Sequence, residues 1–463
     1  MVALAPSRRK TGFMQFMRST PSRRILLSFT AVILAGTLLL LLPQSNAGTY
    51  PGVLRALFTA TSATCVTGLV IVDTGSFWSP LGQFVIMMLI QVGGLGYMVL
   101  TTILMSAFRR SRLRLHQTGD FRESLPTPSH ENPGDFARVI ALTVIISEGL
   151  GAFILSLRFL ADMSPAKAIW NGLFTSVSAF CNAGFDVLGN GMKNLEPYVS
   201  DLVVNIVVPG LIILGGLGFI VINEIVRHVT RRDVKRLSTH TRTVLIVTAI
   251  LIVGGAAIIF GLENNNAATY GSLPFGTRVL ASLFQSVTAR TAGFDTVAQG
   301  NLRPATLMVV ILLMFIGASP GGTGGGVKTT TFAVVLAFVW ASLSNANQTH
   351  LGTRGVRDDS VKKSVVVFTL SLGIVIGATF LLAVMDGHRF PLLHLLFDVT
   401  SAFGTVGLSA GITASLSAGS QIVLIATMLA GRVGVLTAML TLFNTDRHPL
   451  QLIRLAEDDV AIG

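Results

Sequence analysis

Four segments of this chain align without gaps over twelve residues, and each carries a glycine at the same place. They read FTATSATCVTGL at 58–69, FTSVSAFCNAGF at 174–185, LFQSVTARTAGF at 283–294 and FDVTSAFGTVGL at 397–408. The shared glycines are Gly68, Gly184, Gly293 and Gly407, spaced 116, 109 and 114 residues apart. Each segment lies between two hydrophobic stretches. Four like membrane-embedded units in one chain imply pseudo-fourfold symmetry about an axis. A ring of glycine-bearing loops at such an axis is how backbone carbonyls come to replace the hydration shell of a cation. The repeat thus constrains chemistry as well as fold.

That the units are membrane-embedded follows from composition. Of 463 residues, 51% are hydrophobic and only 12% charged, with mean hydropathy +0.69. Soluble proteins carry about 25% charged residues, so the balance is that of a polytopic membrane protein. The apolar run at 25–42 follows an Arg-rich start, but it stops at Leu42-Pro43-Gln44 with no small-residue cleavage site. It reads as a first transmembrane helix, not a removable leader. The net charge of +12 would suit nucleic acid, but its distribution does not. Basic residues gather around Arg8–Lys10 and Arg23–Arg24, at Arg109–Arg114, at Arg227–Arg236, at Arg354–Lys363, and at Arg447 and Arg454. These clusters lie between repeats or at the termini, the positive-inside pattern. Both termini and the inter-repeat loops are therefore expected in the cytoplasm, with the helices in contact with membrane lipid and with no nucleic acid.

Each unit reads as outer helix, half-helix, re-entrant loop and inner helix (M1-P-M2), giving an all-α fold of four M1-P-M2 repeats around a central pore. The expected outer helices are 25–42, 136–160, 243–262 and 364–385; the half-helices 51–67, 167–183, 275–292 and 391–406; the inner helices 80–108, 199–226, 304–340 and 421–443. The organisation is then an N-terminal segment 1–24, repeat one 25–108, a loop 109–135, repeat two 136–226, a loop 227–242, repeat three 243–342, a loop 343–363, repeat four 364–443 and a C-terminal segment 444–463. Helices of ~20 residues span the hydrocarbon, whereas the glycine segments are too short and too polar. Non-helical backbone at that depth is tolerated where it is buried or lines a wet cavity. The inner helices share a second signature, GGLG at 93–96, GGLG at 215–218 and GRVG at 431–434, for which close helix packing is the plainer reading and a hinge the other. The polar loop at 109–135, with Pro126, Pro128 and Pro133, reads equally as a linker or a docking segment.

The chemistry is expected in three places. The first is the filter. Four half-helix C-termini, each with about −0.5 charge, favour a cation between them. Extended backbone at Val66, Thr67 and Gly68, at Asn182, Ala183 and Gly184, at Thr291, Ala292 and Gly293, and at Thr405, Val406 and Gly407 would turn carbonyls onto the ion. The glycines allow the positive φ that a Cβ penalises. Cys65 and Cys181 stand three residues before their glycines and read as small apolar positions, not a disulfide.

The second place is GASPGGTGGG at 317–326, six glycines and one proline in ten residues, which cannot stay helical. A phosphate-binding loop would need lysine where Val327 stands, and the flanks are membrane helix. A polar loop under the filter suits a gate instead, built from Gly317, Ser319, Gly321, Gly322, Thr323, Gly324, Gly325, Gly326 and Lys328. Third, Arg432 falls inside the last inner helix, where a charge is a functional hypothesis by default. It reads as a barrier to the ion or as half of a structural ion pair with Glu148. Arg290, behind the third loop, reads as a brace to Asp295.

These features together resemble the Trk/Ktr/HKT superfamily of potassium transporters, and within it the KtrB-type membrane subunit. The resemblance runs over about 25–443 and rests on TATSATCVTGLVIVDTG, IQVGGLG, CNAGFD, SVTARTAGFDT and GASPGGTGGGVKTTT. It implies potassium uptake, often sodium-linked, with K+ held at Gly68, Gly184, Gly293 and Gly407, a gate at 317–328 and a pore arginine at Arg432. It further implies a homodimer on a cytosolic, octameric KtrA-like ring, which binds the nucleotide, so that this chain has no organic cofactor. Val66, Asn182, Thr291 and Thr405 share one column, so the filter is chemically uneven. An unselective or sodium-preferring member is the runner-up. An intramembrane enzyme would need a nucleophile with its base or paired carboxylates, which the helices lack. An organic-solute carrier built on inverted repeats does not fit four units of one orientation.

Overall fold

The computed structural model describes residues 21–107, 133–189, 191, 194–230 and 236–435. The expected N-terminal segment, the loop at 109–135 and the C-terminal segment lie largely or wholly outside them, as does the last helix beyond residue 435.

Helices follow one another in four groups of like make-up. The first holds α1 (Pro21–Leu40), α2 (Gly52–Thr64) and α3 (Pro80–Ala107); the second α4 (Pro133–Phe159), α5 (Pro165–Phe180), α6 (Leu202–Leu217) and α7 (Phe219–Thr230). The third holds α8 (Thr239–Glu263), α9 (Phe275–Thr288), α10 (Pro304–Phe315) and α11 (Thr329–Leu343); the fourth α12 (Asp358–Asp386), α13 (Leu392–Gly404) and α14 (Ala418–Val433). Between α11 and α12 a small hairpin pairs β1 (His350–Leu351) with β2 (Arg354–Gly355). Proline opens α5 and α10 at the first helical position, where its missing N–H is not needed. Asp201, Ser238 and Ser417 instead cap α6, α8 and α14 by accepting amides of the first turn.

Among the described residues, Arg138–Phe159, Thr239–Glu263 and Asp358–Asp386 are each long and apolar enough to cross a bilayer. Their hydrophobic side chains are widely exposed, Ile145, Ile250 and Phe380 among them, as lipid-facing positions require. The first, second and fourth inner helices are not the unbroken rods expected. Gly96 interrupts α3 at φ 70°, ψ 152°. Gly218 separates α6 from α7 at φ 92°, ψ 139°, and the two halves bend by 99°. Gly434 ends α14 at φ 94°, ψ 133°. In the third group the 316–328 loop takes the place of the bend.

The GGLG-type signature thus does two jobs with two glycines. A Cβ on Gly93, Gly215 or Gly431 would run into Thr64 O, Phe180 O or Phe403 O, at the end of the half-helix of the same group. Packing fixes the first glycine and the bend fixes the fourth. The inner helix of each group also packs against the half-helix of the next: α3 on α5, α6 on α9, α10 on α13, and α14 back onto α2. This cycle of contacts brings all four half-helices to one centre.

Candidate functional site

Phe58, Phe174 and Phe397 anchor α2, α5 and α13 with side chains wholly out of solvent. Ten residues on, each segment reaches its glycine. The turn between is a Schellman ending. In α2, Val66 N donates to Ala63 O (3.1 Å) and Thr67 N to Ser62 O (2.7 Å); Asn182 and Ala183 repeat this on Ala179 O and Ser178 O, and Thr405 and Val406 on Ala402 O and Ser401 O. A Schellman turn needs a left-handed residue, usually glycine. Here it is Val66 (φ 57°), Asn182 (φ 59°) and Thr405 (φ 50°).

The third segment departs from the gapless alignment. Leu283 is 40% exposed, and the buried anchor is Phe284, nine residues before Gly293. Its turn is one residue shorter, so Ala292 N reaches Thr288 O, while Thr291 takes the left-handed place at φ 71°. The extended backbone expected at these segments is therefore a left-handed turn in all four. For β-branched Val66, Thr291 and Thr405 that conformation costs ~1–2 kcal/mol each, a strain of the kind found at functional sites.

The four turns close a ring. The glycines follow at φ 86° (Gly68), 68° (Gly184), 80° (Gly293) and 102° (Gly407). A Cβ on Gly68 would strike Ala183 O, on Gly184 Ala292 O, on Gly293 Val406 O, and on Gly407 Thr67 O. Those carbonyls belong to the residues before the neighbouring glycines, so each loop leans on the next and the last on the first. The Thr67 and Thr291 hydroxyls are buried here with no partner among the described residues.

The glycine-rich segment lies directly beneath. Gly325 N donates to Thr405 Oγ1 (3.0 Å), Asn182 and Thr323 pair side chains at 2.8 Å, and a Cβ on Gly324 would collide with the Thr291 side chain. Three of the four left-handed residues thus touch it. Far from floating, the segment is held on the bent end of α6: Ser319 N donates to Gly216 O (3.0 Å), Thr323 N to Gly215 O (3.1 Å), and Phe219 N to Gly321 O (3.1 Å). The bend at Gly218 frees these carbonyls for it.

Both cations expected here make contact with this segment. Lys328 Nζ folds back onto Gly324 O (2.8 Å) and Gly325 O (3.4 Å). Arg432 donates to Thr323 O and, across to α3, to Gly93 O and Gly94 O (3.2 Å). Its expected ion pair with Glu148 is not formed. Glu148, 9% exposed, instead accepts from Gln91 Nε2 with both oxygens (3.1 and 3.0 Å). The Cys181 thiol donates to Gln91 Oε1 at 3.2 Å, so that position is polar rather than apolar; both cysteines are free. Arg290 does not brace Asp295; its guanidinium donates to Gly317 O at 3.4 Å.

On the other side of the ring stand carboxylates the sequence reading passed over. Asp398, fully buried in α13, accepts from Ser409 Oγ, Ala410 N and Thr413 Oγ1, fixing the chain after Gly407. Asp186, two residues past Gly184, accepts from Leu188 N at 3.0 Å. Loss of solvent pushes its carboxyl up to about 6, and the charge of Asp73 adds to the push. The spacing of Asp186 and Asp295 from their glycines is identical in the sequence, which was the available signal.

A family model described as TrkH, cation transport protein, matches residues 1–447. The chain is 38% identical over 441 residues to the Ktr system potassium uptake protein B of Vibrio alginolyticus, covering 95% of this chain and 94% of that one. It is 36% identical over 442 residues to the protein of the same name from Bacillus subtilis, covering 96% and 97%. Among solved structures, the potassium transporter TrkH from Vibrio parahaemolyticus shares the fold with a TM-score of 0.70, at 16% identity over 92% of this chain and 85% of that one.

Proposed function

The chain belongs to the TrkH family of cation transport proteins, and on that premise we propose that it is the potassium-conducting subunit of a Ktr-type uptake system, a transporter and not an enzyme. In this reading the four helix groups are M1-P-M2 repeats around one pore. The filter is the ring at Val66, Thr67 and Gly68, Asn182, Ala183 and Gly184, Thr291, Ala292 and Gly293, and Thr405, Val406 and Gly407. The segment 317–328 with Arg432 is the gate.

The observation that carries the reading is the closed cycle of glycine-to-carbonyl contacts among four helix C-termini. Such a centre offers partial negative charge and carbonyl oxygens to a cation and nothing to an anion. In this reading the positive φ at Val66 and Gly68, and at their counterparts in the other loops, lets the loop backbone turn carbonyls toward the ion. On the same reading the loop bonded to Asn182 and Thr405 holds the pore shut, and Arg432 adds a positive charge beside it.

The relatives' names supply potassium as the ion. A homodimer, a cytosolic nucleotide-binding ring, sodium linkage and cytoplasmic termini in a bacterial inner membrane complete the proposal. The test is rubidium uptake into potassium-loaded proteoliposomes, with and without a KtrA-like ring, and with potassium or sodium as competitor. Uptake blocked by potassium, little affected by sodium and lost in Gly293→Asp is the expected result. Equal competition by both ions overturns the selectivity, and absence of uptake with the ring present overturns the pore.

A further inference from the structure

Counted back from the glycines, the residue three before each one is Cys65, Cys181, Arg290 or Gly404. Each stands within two residues of the last residue of a half-helix, and Cys181, Arg290 and Gly404 face the inner helix of the preceding group. Cys181 lies against Gly94, and a Cβ on Gly404 would meet Met314 O. Three of these residues are small. The fourth is an arginine that is 8% exposed, lining a cavity of about 10 Å3 with Ile212, Gly216, Thr248 and Ala318. Its Nε is buried without an acceptor among the described residues, and the hydrogen bond it does make reaches Gly317 O. Gly317 is where α10 has ended and the glycine-rich segment begins.

A cation can sit here without a carboxylate because helix C-termini converge on it. Arg290 stands two residues past the end of α9 and lies beside the last turn of α6, both of which present negative dipole ends. Those dipoles hold the charge in place but do not require the contact to Gly317. The contact to Gly317 O, at 3.4 Å, is long for a hydrogen bond, so the side chain gives it up at small cost.

We propose that Arg290 is a positioning residue that clasps the first turn of the gate segment to the third filter loop, and that releasing it lets the segment withdraw. This rests on the reading of 317–328 as a gate. The backbone runs from Arg290 straight into the left-handed Thr291, so the clasp links gate and filter with no residue between. It acts at one end of the segment, as Arg432 and Lys328 act at the other.

The experiment compares wild type, Arg290→Gln and Arg290→Lys in proteoliposomes without the ring subunit. Arg290→Gln is expected to raise basal rubidium uptake several-fold with potassium-over-sodium competition unchanged, and Arg290→Lys to fall between the two. A merely structural role would lower the amount of folded protein and leave basal flux per folded molecule alone. Basal flux in a folded Arg290→Gln equal to wild type overturns the clasp, while wild-type uptake in the same assay keeps the pore reading intact. If Arg290→Gln is not recovered folded, hydrogen exchange of 317–327 in Arg290→Lys decides: faster exchange than wild type supports the clasp, and equal exchange overturns it. That measurement needs no transport, so it stands even where the pore reading fails.

Discussion

At the residue scale, the least expected positions are Val66, Asn182, Thr291 and Thr405. Glycine is the default where φ is positive, and sequence reasoning accordingly places the strain on Gly68, Gly184, Gly293 and Gly407. The structure places it there and also two residues earlier, on side chains that glycine could have replaced. Glycine would abolish the local cost, but it would also remove the Thr405 hydroxyl that accepts Gly325 N and the Asn182 amide that meets Thr323. The strain and the seat of the gate segment are one arrangement. On the opposite side of the ring, Asp186 gives a prediction in pH. Its carboxyl is pushed up to about 6, so it is charged above that pH and neutral below it. A negative charge near the ring concentrates cations. Rubidium uptake should therefore fall as the pH on that side drops through about 6, and Asp186→Asn should lower uptake at pH 7.5 and flatten that part of the profile.

At the scale of elements, helix order and half-helix positions could be read from hydrophobic runs and prolines. Expected and observed ends agree within a few residues, as for 275–292 against Phe275–Thr288. The breaks in the inner helices could not be read, because a glycine inside an apolar run looks alike whether it lets another backbone approach or takes a positive φ. Only the three-dimensional neighbours separate Gly215, pressed on Phe180 O, from Gly218, which turns the chain. The one-residue deletion in the third turn was hidden for a related reason: Leu283 and Phe284 are both hydrophobic, and only burial tells which is the anchor. The pairing of Arg432 with backbone carbonyls in place of Glu148 was likewise beyond sequence, since carbonyls freed by a helix break leave no mark in it. The bends themselves differ in consequence. Gly218→Ala and Gly96→Ala both force a side chain into a region that is essentially glycine-only, costing ~1–3 kcal/mol. Gly218→Ala also drives a Cβ toward Pro320 O at 2.5 Å, whereas Gly96→Ala meets nothing within 4 Å among the described residues. Thermal unfolding in detergent should show Gly218→Ala the less stable of the two, and its basal rubidium uptake should rise as the gate segment loses its seat.

For the molecule as a whole, the four units are alike but not interchangeable. One turn is a residue short, one inner helix is broken by a loop where the others bend, and one of four small positions is Arg290. The ring nevertheless closes by the same contact four times, a glycine against the carbonyl of its neighbour. Gly68→Ala, Gly184→Ala, Gly293→Ala and Gly407→Ala should therefore each abolish preference for potassium over sodium in competition assays, irrespective of which repeat carries the change. One variant retaining wild-type preference would mean that its loop stands outside the ion path. The final contacts of this cycle join the first and fourth helix groups: Gly407 closes on Thr67 O, and Arg432 reaches Gly93 from 339 residues away. A nascent fragment that stops short of the fourth loop lacks the contacts that close the ring. On the proposed reading the membrane meets no half-built pore during synthesis, because the hole and its stopper are completed together, when the fourth group joins the first.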